Sequence, residues 1–174
     1  RVLKTRTFAH GRTRNEAIAV TRGEWIVLMT QDARPAGPGF LGTLCSPLGN
    51  DERLAGTWAR QIAAPGTDPL VEAMLRRWCP PDGDRRQRAL GPAEFDAMTP
   101  VQRAARCRFD NVASCIRRAV WALHPLPDVP FGEDTAWARR VLLAGHDLLY
   151  RSGAEVIHAH EDGPLATFRR DRLG

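Results

Sequence analysis

Paired cysteines, lysine and long apolar runs are all missing or scarce in this chain. Its four cysteines, Cys45, Cys79, Cys107 and Cys115, stand far apart in 174 residues and form no Cys-x-x-Cys pair. That pattern argues against a zinc ribbon or a disulfide framework and sets reduced thiols in the cytosol as the expectation. No apolar stretch approaches the length of a membrane span and no signal-peptide pattern is present, so a soluble cytoplasmic region is expected. Aromatics are 7% of residues and sit mostly in apolar runs. A nucleic-acid binder would interleave them with basic residues on one face, so that class is set aside. Lys4 is the only lysine among 25 basic residues, which face 20 acids for a net charge of +5. The excess suits a polyanionic partner such as a nucleotide diphosphate or an anionic membrane surface, but the arginine bias also fits base composition of the gene.

What is present reads as one domain over residues 1–174, long enough to bury a core. Thr13-Arg14-Asn15-Glu16 has capping-box spacing, with Thr13 as N-cap of a short helix that Gly23 closes. Trp25-Ile26-Val27-Leu28-Met29 is a continuous apolar run, the pattern of a strand buried on both faces, and it leads into Thr30-Gln31-Asp32. A helix, a buried strand and a carboxylate at the strand's C-terminal end follow α/β grammar, in which ligands bind at those ends. Further on, the spacing predicts a helix over 40–48, a strand over 54–62 and a helix from Asp68-Pro69 to about Trp78. Residues 79–108 read as an irregular, mobile excursion with one or two helical turns. A strand over 112–115, helices over 117–123 and 135–144, and strands over 148–150 and 155–158 complete the chain, with Asp134 capping the second of those helices.

Four clusters carry possible chemistry. His10-Gly11-Arg12-Thr13-Arg14-Asn15 enters a helix, whose N-terminal amides with Arg12 and Arg14 suit a phosphate; a capped surface helix with solvated arginines is the plainer alternative. Asp32, after Thr30 and Gln31, can hold Mg²⁺ or Mn²⁺ against a diphosphate, or merely cap the turn before Pro35. Glu133-Asp134 places a carboxylate at a helix start, where it can act as a general base, although most such aspartates are only caps. In a strand, His158 and His160 would face one side and reach one metal, although one of two such histidines is more often structural.

Taken in order, four stretches resemble family 2 glycosyltransferases of the rhamnosyltransferase type. They are Phe8-Ala9-His10-Gly11-Arg12-Thr13-Arg14-Asn15, Leu28-Met29-Thr30-Gln31-Asp32-Ala33-Arg34-Pro35, Phe131-Gly132-Glu133-Asp134 and Val156-Ile157-His158-Ala159-His160. The stretch Asn111-Val112-Ala113-Ser114-Cys115-Ile116-Arg117-Arg118 resembles the family's segment before its acceptor-side helix. The resemblance implies a GT-A fold, a mixed sheet flanked by helices, and inverting transfer of a hexose such as rhamnose. The donor would be a nucleotide-sugar and the acceptor a glycan or lipid-linked hydroxyl, in bacterial surface polysaccharide synthesis at the inner face of the membrane. It further implies Asp134 as base, Glu133 orienting the acceptor, Asp32 and His158 (His160 second) on a divalent cation, and Arg12, Arg14, Asn15 and Gln31 beside the donor.

Two departures stand out. Ala9 replaces the family's more frequent glycine, and the family's opening strand and acidic turn would have to precede Arg1. The expectation is an N-terminally truncated domain that lacks half its donor pocket, binds nucleotide-sugars weakly or not at all, and self-associates through the exposed edge of residues 26–28. A non-catalytic module on the same scaffold is the rival reading; a His-x-His metallohydrolase ranks last, because His10, His124 and His146 are scattered.

Overall fold

The computed structural model describes Val2, Lys4, Thr5 and residues 7–158; His160 lies outside the described residues. In chain order the elements are α1 (His10–Ala19), β1 (Trp25–Met29), β2 (Ala33–Pro35), α2 (Phe40–Asn50), β3 (Leu54–Ile62), α3 (Pro69–Trp78), β4 (Arg85–Gln87) and α4 (Pro92–Asp96). There follow α5 (Pro100–Arg106), β5 (Ala113–Arg117), α6 (Arg118–Leu123), α7 (Glu133–Leu143) and β6 (Asp147–His158).

The strands form one mixed sheet in the order β1-β5-β3-β6-β2, with β4 also on β6. β5 runs antiparallel to both β1 and β3, whereas β3 and β6 are parallel. The outer edge of β6 is shared: β4 pairs with its beginning, at Leu148 to Tyr150, and β2 with its end, at Val156 to His158. Where two strands were expected over 148–150 and 155–158, one continuous strand absorbs the irregularity as a register shift opposite Ala59 and Arg60.

Each face of the sheet has its own core. On one, α2 lays Phe40, Leu44 and Leu48 over Ala59, Cys115 and Val156. On the other, Ile18 of α1, Val120 of α6 and the Trp137, Ala138, Val141, Leu142 stripe of α7 cover Ile26, Trp58, Ile116 and Leu148. The spacing of that stripe turns one side of α7 continuously to the sheet, and Trp137 donates its Nε1–H to the His124 carbonyl at 2.8 Å.

Local chemistry set several boundaries as expected. β3 and α3 occupy the expected residues, and Asp68 accepts from the Leu70 amide at 2.7 Å as the N-cap of α3. Other expectations are corrected. α1 begins at His10, not after Thr13; Thr13 lies within the helix, its hydroxyl taking the Ala9 amide at 3.3 Å. β1 is not buried on both faces: Ile26 and Leu28 are buried, while Trp25, Val27 and Met29 are 38–45% exposed. Residues 79–108 are organised into β4, α4 and α5, anchored by buried Leu90, Phe95 and Cys107. Thr99 and Gln102 supply there the capping box that Thr13 does not. All four cysteines are free, and among the described residues no helix is long and apolar enough to cross a membrane.

Candidate active site

Asp32 and His158 meet because the backbone ladders their strand ends together. After β1 the chain turns through residues 30–32, closed by the Ala33 amide on the Thr30 carbonyl at 3.2 Å, and β2 then sets Ala33 opposite His158. Asp32 Oδ2 lies 3.1 Å from His158 Nε2. The Asp32 side chain is 45% exposed and that of His158 4%, so an open carboxylate stands over a buried imidazole. Burial pushes the Asp32 pKa up, but the Thr30 hydroxyl, a backbone amide and His158 together hold it below the ordinary carboxylate value.

The imidazole is oriented from behind. His158 Nδ1 lies 2.9 Å from Gln61 Oε1, and the Gln61 amide donates through Nε2 to the Asp110 carboxylate. While Asp110 is ionised it only accepts, which turns the Gln61 oxygen toward His158 and puts a proton on Nδ1. With the proton on Nδ1, Nε2 is the nitrogen that faces the Asp32 carboxylate oxygen. Two acceptors at 3.1 Å are reconciled by a proton on Nε2 or by a cation that both ligate. Among the described residues no three His, Cys, Asp or Glu side chains gather to hold a metal. Asp32 and His158 fit a cation that takes its remaining ligands from a diphosphate and water, the arrangement hard cations such as Mg²⁺ favour.

The second half of the site is built by Gly132 and α7. Gly132 adopts φ 73°, a left-handed cap that a side chain would strain, and it places Glu133 and Asp134 together in the first helical turn. Asp134 is thus not the N-cap. Its Oδ1 accepts from the Thr135 amide at 2.7 Å and its Oδ2 from the Asn111 amide at 3.4 Å. Burial, then the charges of Glu133 and Asp110, push the Asp134 pKa up to about 6. Glu133 is ion-paired with Arg14 and also faces Asn111 Nδ2 at 3.4 Å, while Ser114 Oγ holds Asn111 Oδ1 at 2.8 Å.

Asp110 joins the halves. It bonds Gln61 and the Val112 amide, lies within electrostatic reach of His158 and Arg14, and has its pKa raised by burial. The structure therefore brings Asp32, His158, Arg14, Glu133 and Asp134 into one connected neighbourhood. The remaining donor-side candidates fare differently. Arg12 is ion-paired with Asp128 on the surface, and Gln31 is exposed in the turn. Asn15 uses its side chain internally: Oδ1 accepts from Trp121 Nε1 at 2.8 Å and the Leu126 amide at 3.1 Å, and Nδ2 donates to the Leu126 carbonyl. That corrects its expected contact with the donor, for its polar atoms fasten α1 to the segment after α6. The start of α1 is also closed as a phosphate seat, since a Cβ on Gly11 would stand 2.0 Å from the Pro127 carbonyl oxygen. Gln61 and Asp110 had not been singled out; neither has a motif of its own, and each gains a part only through distant partners.

No family model matches the chain, and no curated protein matches it. Solved structures do. A mannosyltransferase from Pyrobaculum calidifontis, in complex with GDP-Man and Mn²⁺, superposes with a TM-score of 0.61 at 15% identity, over 97% of this chain and 41% of that one. Glucosyl-3-phosphoglycerate synthase from Mycobacterium tuberculosis, in complex with phosphoglyceric acid, matches with a TM-score of 0.50 at 16% identity, over 95% and 51%. A mycobacterial protein matches equally at 0.50 and 16%, over 95% and 48%. The chain thus spans about two-fifths to one half of these neighbours. The shared feature is the fold, a mixed α/β sheet flanked by helices of the GT-A type.

Proposed function

We propose that this chain carries part of the active site of a glycosyltransferase, which moves a sugar from a nucleotide-sugar to an acceptor hydroxyl by single displacement with inversion. The observation that carries the reading is the meeting of Asp32 and His158 at 3.1 Å on the sheet edge, within a fold shared with a GDP-Man-complexed transferase. Resemblance to rhamnosyltransferases supports a hexose such as rhamnose and a glycan or lipid-linked acceptor in bacterial surface polysaccharide synthesis, at the cytoplasmic face of the membrane.

Asp32 and His158 would hold a divalent cation, Mg²⁺ or Mn²⁺, which when bound neutralises the charge developing on the departing nucleoside diphosphate. Gln61 and Asp110 keep the His158 Nε2 lone pair directed toward Asp32. Asp134, with its pKa near 6, is ionised at neutral pH yet basic enough to take the acceptor hydroxyl's proton as the new bond forms. Glu133, tied to Arg14 and Asn111, fixes the start of α7 and keeps a negative charge beside Asp134. That makes it a positioning residue, in place of the acceptor contact its motif implied.

The test is transfer from a panel of nucleotide-sugars with Mn²⁺. Asp134→Asn should lower kcat on the order of 10²-fold or more with donor binding nearly unchanged. Undiminished turnover would reduce Asp134 to a structural acid. Donor binding with no transfer to any acceptor would favour a non-catalytic module on the same scaffold.

A further inference from the structure

A second concavity lies beside Arg108, two residues before Asp110. It is a cleft of about 600 Å³ between α3, α5, β4 and β6. Arg77, Arg85, Arg106 and Arg108 line it, and no acidic residue does. Trp58, Trp78 and Tyr150 supply its aromatic surface.

The charge of these arginines is incompletely answered. Arg85 has only a 3.6 Å pairing with exposed Asp82. Arg77, Arg106 and Arg108 have no ion pair among the described residues; Arg106 and Arg108 reach only the Arg88 and Trp78 carbonyls, at 2.9 and 2.8 Å. Arg108 is stacked 3.9 Å above the Trp78 ring, and its Nε is buried without a hydrogen-bond partner. The Gln87 Oε1 on the cleft wall is likewise buried and unpartnered. Burial pulls the Arg108 pKa below its ordinary value, as expected of a guanidinium that no anion compensates. Orphaned buried donors and acceptors are rare and mark either strain or a partner to be supplied.

The cleft adjoins the candidate active site. Arg108 lines it, Phe109 packs between Trp58 and Trp137 at 5.5 and 5.0 Å, and Asp110 belongs to the site. No more than about 7 Å of backbone separates Arg108 from Asp110. Cys79, buried beside both, feels the charges of each. A ligand in the cleft therefore lies next to the proposed base's neighbourhood, with arginines for an oxyanion and the exposed Trp78 for a sugar ring.

Resting on the transferase reading above, we infer that this cleft is the acceptor subsite and that it selects an acceptor bearing an oxyanion, a phosphate or a sugar carboxylate. The guanidinium groups hold the oxyanion and leave the acceptor's reacting hydroxyl to reach Asp134.

The experiment titrates the protein at low salt with mannose 6-phosphate, glucuronate and uncharged mannose, read by tryptophan fluorescence. A parallel calorimetric titration uses GDP with Mn²⁺. One or both anionic sugars should bind, mannose should not, and the paired change Arg77→Ala with Arg106→Ala should weaken the anion about tenfold while leaving GDP unaffected. Both arginines are at least partly solvent-accessible, so that variant should fold; Arg108→Gln, which removes the unpartnered Nε of a half-buried side chain, is the second probe and should act likewise. Phosphate and carboxylate are distinguished by which sugar binds more tightly. Equal binding of mannose and the anions, or anion binding indifferent to the arginine changes, would overturn the assignment. So would loss of GDP binding in the paired variant, which would give the cleft to the donor. Loss of GDP binding by the unaltered protein with the anionic sugar retained would sink the transferase reading and leave the oxyanion site standing.

Discussion

Replacing Asp134 by asparagine should make the folded protein more stable at neutral pH and less stable in acid. The Asp134 pKa stands at about 6 against an ordinary 3.8, raised by burial and by Glu133 and Asp110. An acid with a raised folded-state pKa binds more protons folded than unfolded between the two values. Stability is therefore complete below the unfolded value and is lost as pH rises through the folded one. At about 1.36 kcal/mol per unit, the ionised carboxylate costs about 3 kcal/mol at neutral pH. Asparagine removes that cost, keeps an oxygen for the Thr135 amide and gives up the longer bond from the Asn111 amide, worth about 1 kcal/mol. Urea unfolding at about pH 7.5 should show the variant more stable by about 2 kcal/mol, falling to equal or slightly less stable at about pH 4. If Asp134 is the base, the same raised pKa predicts that transfer by the unaltered protein declines as pH falls below about 6. A variant destabilised equally at both pH values would show that Asp134 carries no perturbed charge, and would remove the physical case for it as base.

Gly11→Ala should destabilise the fold by about 1–3 kcal/mol, because the new Cβ would meet the Pro127 carbonyl; a thermal midpoint unchanged from the parent would refute that close approach. Among the described residues, β1 pairs only with β5 and exposes Trp25, Val27 and Met29. Val27→Lys should therefore reduce self-association measured by light scattering, and an unchanged mass distribution would acquit this edge.

The elements legible in the sequence were those specified by neighbours along the chain. Asp68-Pro69 announces α3 because capping chemistry is confined to a few residues, and the apolar pattern of β3 coincides with its strand. β2 escaped notice: three residues ending in Pro35 have little strand character, and the element exists only through its ladder to β6. β1 misled for a related reason. A continuous apolar run does not say whether a layer covers its second face, and here Val27 and Met29 remain exposed. In the site, Asp32, His158 and Asp134 stood at recognisable strand or helix ends. Gln61 lies inside a strand and acquires its part from an imidazole 97 residues away. Asn15 fell within a recognised motif, yet its atoms serve Trp121 and Leu126, partners that no local pattern names.

The claim on which the account depends is that Asp32 and His158 share one divalent cation. Mn²⁺ titrated into the protein with GDP or UDP, and followed by pulsed electron paramagnetic resonance, reads the ligands directly. The account predicts a bound Mn²⁺ with nitrogen hyperfine coupling that disappears in His158→Ala, and affinity weakened about tenfold or more in Asp32→Asn. Mn²⁺ bound with no nitrogen coupling, or equally tightly in both variants, would contradict it.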